Sequence, residues 1–248
     1  MLNDIKAVYA AAWRAMLVMP LLFAIPVVVE FAQHVVEMRI GMYDSLAMAK
    51  QVADDPMRML FGFAKTVALL LPGYWFVRLM AFGDGRRAAR PEAPAFALWL
   101  VLFVMNVAIL AWEMFGPPLG SVIGLAGQSE KLAGPVLSAA WMVIGIYFTA
   151  WFVGWTLGNR AIGPRRSFAI MTGSFWRTAG YMLACILPLM ALHYALGYLA
   201  VTLTPALLDW VVLALDAVVV GLLACCMAGA GYIAAASAAA RKGASLIE

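Results

Sequence analysis

The sequence predicts an all-α, polytopic integral membrane protein with six transmembrane helices. Three observations carry that prediction. The mean hydropathy is +0.92, and 12% of the 248 residues are charged, about half the ~25% typical of soluble domains. Six windows are each long enough to cross a hydrocarbon layer of about 30 Å, which takes roughly 20 apolar residues. These windows are continuously apolar, whereas barrel strands alternate over about ten residues, so helices are selected.

The first window, Ala10 to Glu30, includes Arg14 and follows Lys6. A cleavable signal peptide shares that order of charge and apolar run. No small-residue cleavage site follows, and VVVEFAQHVVEM continues in bulky residues, so a retained helix is expected. The next connection, FAQHVVEMRIGMYDSLAMAKQVADDPMRM, interleaves Val35, Val36, Met38, Met42, Leu46 and Met48 with charge. That pattern fits a short helix on the outer membrane surface, or an ordinary extramembrane helix.

The remaining windows are Met59 to Phe82, Ala95 to Phe115, Val136 to Leu157, Thr178 to Leu203 and Trp210 to Ala235. Pro20, Pro26, Pro72 and Pro188 fall within spans, where each frees a carbonyl and bends its helix. Ala150, Gly154 and Gly158 on the fourth span, and Gly221, Cys225 and Gly229 on the sixth, recur every four residues. Such stripes let another backbone approach closely. Residues 1–248 read as a single transmembrane domain.

Charge orients the spans. Arg86, Arg87 and Arg90 follow the second span, and Arg160, Arg165, Arg166 and Arg177 follow the fourth. Lys6, Arg14, Arg241 and Lys242 flank the two ends of the chain. On the opposite side, Arg39, Lys50, Arg58 and Lys131 are offset by Glu37, Asp44, Asp54, Asp55, Glu130 and Asp209. The positive-inside rule places both termini in the cytoplasm of a cell with this protein in its inner, cytoplasmic membrane. The net charge of +4 is explained by topology and does not argue for nucleic acid. Cys185, Cys225 and Cys226 fall inside spans without metal-site spacing and read as buried small apolar residues.

An ionisable group near mid-bilayer costs about 2.5–3.5 kcal/mol on insertion scales and is a functional hypothesis unless it reaches the interface. Arg14, Arg78, Glu30 and Glu113 lie near span ends and reach it. Lys65 and Asp216 do not, and they enter to matching depths. An ion pair between them, with His193 and Asn106, would line an outward-facing polar cavity. A purely structural pair with a satisfied core histidine is the alternative.

Enzymatic chemistry finds no footing. HExxH, GxSxG and Walker A motifs are absent. DGRRAAR, Asp84 to Arg90, only approaches the opening of the CDP-alcohol phosphotransferase motif, because its Arg is displaced and the downstream aspartates are missing. Two histidines exclude multi-histidine metal sites, and the last helix has no lysine for a retinal Schiff base. No catalytic residue, metal or cofactor is expected.

In GPRRSFAIMTGSFWRTAG, Gly163 to Gly180, a helical wheel gathers Phe168, Met171, Phe175 and, at the margin, Trp176 on one face, with Ser167 placed to cap the start. This suggests an interfacial helix whose Arg165, Arg166 and Arg177 meet anionic lipid headgroups on the cytoplasmic face, or a protein partner. The Arg-Ser pair followed by FAIMTGSFWRTAG resembles a segment of bacterial YciC-like inner-membrane proteins and of the membrane domain fused to some glycerophosphodiester phosphodiesterases. The resemblance implies a non-enzymatic accessory or binding subunit in envelope or lipid homeostasis, with a membrane-protein partner or a second copy of itself. A small transporter or channel using the outward polar cluster is the alternative.

Overall fold

Prolines and capping side chains set the helix boundaries in the first third of the chain. A computed structural model describes residues 1–202 and 206–247, is 82% helical, and has no strand among the described residues. Among the described residues, six segments are long and apolar enough to cross a membrane: Pro20–Arg39, Pro56–Phe82, Ala93–Phe115, Lys131–Thr156, Phe175–Thr202 and Leu208–Arg241. The protein is therefore an all-α, multi-pass membrane protein. Five spans fall where the apolar windows put them, although the expected end of the fifth, Leu203, lies outside the described residues.

The first span is displaced. Helix α1 covers Leu2–Val18 and α2 covers Pro20–Arg39, so the expected Ala10 to Glu30 straddles a break. Pro20 has no N–H and drives the residue before it out of the helical region. Met19 accordingly sits at φ −137°, ψ 55°. Beyond Glu30, α2 continues to Arg39 through residues expected in an outer loop. The rest of that loop holds a short α3, Leu46–Gln51, whose Met48 N–H donates to Ser45 Oγ at 3.2 Å.

The second span is two helices. In α4, Pro56–Leu70, Asp55 accepts from the N–H groups of Met57 and Arg58, and Pro56 takes the first helical position. After Leu71 and Pro72, α5 covers Gly73–Phe82 and closes on Gly83 at φ +66°. A short α6, Gly85–Ala89, follows. Arg78 does not snorkel: it is fully buried, with its guanidinium 5.2 Å from the Tyr74 ring centre and 4.9 Å from that of Phe82.

The chain divides into two compact units, Met1–Pro91 with Gly180–Ala230, and Glu92–Ala179 with Gly231–Glu248. In the first unit, α1 to α6 are joined by parts of α11, Phe175–Thr202, and α12, Ala206–Arg241. A Cβ on Gly221 would stand 2.6 Å from Val27 and 3.0 Å from Phe23; one on Gly229 would stand 2.6 Å from Val8 and 2.9 Å from Phe76. The small-residue stripe of α12 is therefore where α1, α2 and α5 press in. Phe23 and Val27 meet Gly221 while His34 meets Asp216, so α2 and α12 run antiparallel.

The second unit contains α7, Ala93–Phe115, α8, Leu119–Val122, α9, Gln128–Thr156, and α10, Pro164–Met171. The expected stripe on the fourth span is interrupted, because Gly158 lies past the helix at φ +91° and turns the chain. The arginine-rich segment also differs from expectation. Gly163, not Ser167, is the N-cap of α10, and a turn through Gly173 at φ +80° separates it from α11. Ser167 instead reaches α9, where its hydroxyl accepts from Trp151 N–H at 2.9 Å and donates to the Tyr147 carbonyl at 2.8 Å. The buried face is Ser167, Ile170 and Met171, while Phe168 and Trp176 point outward.

Candidate functional site

Helix α2 buries Phe23, Pro26, Glu30, Gln33, His34 and Glu37. Steps of three and four residues place them on one stripe, apolar in its first half and polar in its second. A carboxylate taken from water into such a place requires partners. Glu30, His34 and Glu37 find them on other elements, and Gln33 on Glu37 of the same helix.

Lys65 Nζ of α4 donates to Glu30 Oε1 at 2.9 Å. His34 Nε2 lies 3.0 Å from Asp216 Oδ2 of α12 and 3.4 Å from Glu30 Oε1. On the other side of the ring, His34 Nδ1 faces Glu37 Oε2 at 3.1 Å and the Tyr43 oxygen at 2.8 Å. Glu37 accepts from the Tyr43 hydroxyl at 2.7 Å and from Gln33 Nε2 at 2.9 Å, and Arg58 Nε stands 3.2 Å from its Oε1. His193 Nδ1 of α11 is 2.8 Å and 2.9 Å from the two oxygens of Asp216.

Depth makes the cluster unusual. Glu30, Lys65 and His193 each lie about nine residues inside the end of their span and Asp216 about eight. At ~1.5 Å per residue that is roughly 12–14 Å along each helix from its end, well inside the spanning segments. Among the described residues of the cluster, the permanent cations pair off, Lys65 with Glu30 and Arg58 with Glu37. Among the described residues, Asp216 is met by two imidazoles, those of His34 and His193, and by no lysine or arginine. Tyr43, in the turn after α2, has its pKa pushed up by burial and then by the charge of Glu37, so it stays a hydroxyl donor.

The structure brings Lys65, His193 and Asp216 together, with one change of partner. Lys65 pairs with Glu30 and reaches Asp216 only through Glu30 and His34, so the expected direct Lys65–Asp216 pair is not formed. Asn106 belongs to the second unit, and its amide nitrogen donates to the Leu102 carbonyl one turn back at 2.7 Å. The group is packed rather than open: Glu30 and Asp216 are fully buried, and the Lys65 and His193 side chains keep 20% and 17% of their exposure. Glu30, His34, Glu37, Tyr43 and Arg58 were expected at a span end or in the loop. The signal for them was the spacing Glu30, His34, Glu37, which continues the Phe23 and Pro26 stripe.

Where no metal site was expected, Glu30, His193 and Asp216 present ligand atoms within 4.8 Å of one another. In the second unit, Arg165, Arg166 and Arg177 are exposed. Arg177 donates to Ser237 Oγ at 3.1 Å, and Arg241 donates to Ser174. Neither a protein-family model, nor a curated protein, nor a solved structure matches the chain significantly.

Proposed function

We propose that the protein is a small, non-enzymatic cation transporter or channel whose translocation or coupling site is the cluster around Asp216. The observation that supports this reading is a fully buried carboxylate within a membrane-spanning helix that, among the described residues, is met by His34 and His193 and by no permanent cation. Holding helices together does not require such a group. Buried ion pairs are commonly no more stabilising than well-packed apolar residues, and intramembrane charge costs about 2.5–3.5 kcal/mol per group. Pro26 lies one turn before Glu30 and Pro188 just over one turn before His193, so the two helices that carry these groups have weakened ladders beside them. The arginine-rich connections support a location in a bacterial cytoplasmic membrane with both termini inside.

Reconstituted vesicles test the reading. Wild-type protein is expected to pass cations roughly tenfold faster than empty vesicles, and Asp216→Asn to lose that flux while its helical circular dichroism is unchanged. Equal flux in the two proteins would contradict it.

A second reading is an accessory subunit in envelope or lipid homeostasis that binds anionic headgroups or a membrane-protein partner. It is supported by the resemblance to YciC-like proteins and by exposed Arg165, Arg166 and Arg177 beside Trp176, which is 84% exposed. Co-purification of an anionic lipid or a partner, weakened by Arg165→Glu with Arg166→Glu, would favour it. Unchanged binding would leave these arginines a topological role alone.

A further inference from the structure

Glu30 has a demand that the protein itself does not meet. It is fully buried, Lys65 holds its Oε1, and its Oε2 has no hydrogen-bond donor among the described residues. An unsatisfied carboxylate oxygen away from water is costly and calls for an explanation. This carboxylate stands beside His193 and Asp216, with ligand atoms of all three within 4.8 Å. In a tetrahedral site with bonds of about 2.0–2.1 Å, ligand atoms stand about 3.3 Å apart. His193 Nδ1 and Asp216 Oδ1 are hydrogen-bonded at 2.8 Å, so an ion would take the place of their shared proton, with the pair parting by about 0.5 Å and Glu30 closing in to complete three sides of a shell.

We propose that Glu30, His193 and Asp216 form a binding site for a divalent transition-metal cation of the zinc class. This deepens the transport reading and rests on it for the metal's role as cargo. One imidazole with two carboxylates suits borderline divalent ions, whereas copper(I) prefers sulfur and calcium an all-oxygen shell. Three protein ligands leave a coordination position open, the arrangement of an exchangeable ion rather than of a closed structural site.

The surroundings orient these groups as outer partners orient metal ligands. Lys65 fixes Oε1 of Glu30 and leaves Oε2 to bind. His34 fixes Oδ2 of Asp216 and is itself held by Glu37 and Tyr43. The charge is also suitable, because Lys65 and Arg58 answer Glu30 and Glu37 while Asp216 has no permanent cation among its partners.

The test uses the full chain, purified in detergent and stripped with chelator, then titrated with Zn2+ by calorimetry and with Co2+ by visible absorption. Wild type is expected to bind one ion per chain and to show the ligand-field bands of a low-coordinate cobalt site. Glu30→Gln, His193→Ala and Asp216→Asn should each weaken binding by about tenfold or more, and Asn106→Ala should not. Circular dichroism and elution volume report folding, with His193→Gln as the replacement should His193→Ala fail to fold. No binding by wild type, or unchanged affinity in folded His193 and Asp216 variants, would overturn the site. If zinc does not bind but Asp216→Asn still abolishes flux of another cation, the metal assignment falls and the transport reading stands. Zinc bound at these residues with no flux of any cation would support the site and remove its role as cargo.

Discussion

Asp216 shows why single side chains in this cluster cannot be valued one at a time. Removing one member of a buried pair strands the other, which costs more than removing both. Lys65→Met should therefore destabilise the protein by about 1–3 kcal/mol, discounted because Lys65 is partly exposed, and adding Glu30→Leu should restore part of that loss. Thermal melts in detergent would show strictly additive effects if the pair contributed nothing. Tyr43 gives a pH dependence. Burial and Glu37 raise its pKa in the folded protein above the ordinary value of about 10, so the unfolded chain ionises first. Its contribution is complete below about pH 10 and declines as pH rises beyond it. Tyr43→Phe should flatten the alkaline fall in stability, and an unchanged slope would argue against the buried hydroxyl. At this scale the interior position of Lys65 and Asp216 was legible by counting from the span ends, although the helices begin earlier than the apolar windows and put both residues two to three residues deeper. Glu30, His34 and Glu37 were not, because three ionisable groups in eight residues depress local hydropathy until a helix resembles a loop.

Helix α2 explains the misplacement at the level of elements. Averaged hydropathy runs smoothly across Met19 and Pro20, whereas the backbone breaks there for steric reasons that an average does not register. The boundary after Asp55 and Pro56 was placed within three residues, since the apolar run begins beside its cap. Small-residue stripes were legible where helix continues, as on α12, and misleading where Gly158 leaves the helix. Their consequence can be measured. Gly221→Ala should lose about 1–3 kcal/mol, since its Cβ would press on Val27 and Phe23, whereas Gly197→Ala meets nothing within 4 Å and should change stability by less than about 1 kcal/mol. Equal melting temperatures for the two variants would refute the close approach of α2 to α12.

For the whole molecule, six spans were legible because low charge and long apolar runs leave few other solutions for so hydrophobic a chain. An even number of spans also puts the two ends on one side. Reporter fusions at either terminus should both read as cytoplasmic, and opposite readings would break the assignment of spans. The meeting of α4, α11 and α12 at a polar centre of Lys65, His193 and Asp216 was legible from their depth, whereas the part of α2 was concealed, since partners 182 residues apart such as His34 and Asp216 leave no local pattern. The most direct test of that centre's role is cation flux through vesicles holding equal amounts of wild-type or Asp216→Asn protein, both shown to be folded. Flux present in wild type and reduced to that of empty vesicles in the variant is the predicted result; undiminished flux in the variant would contradict it.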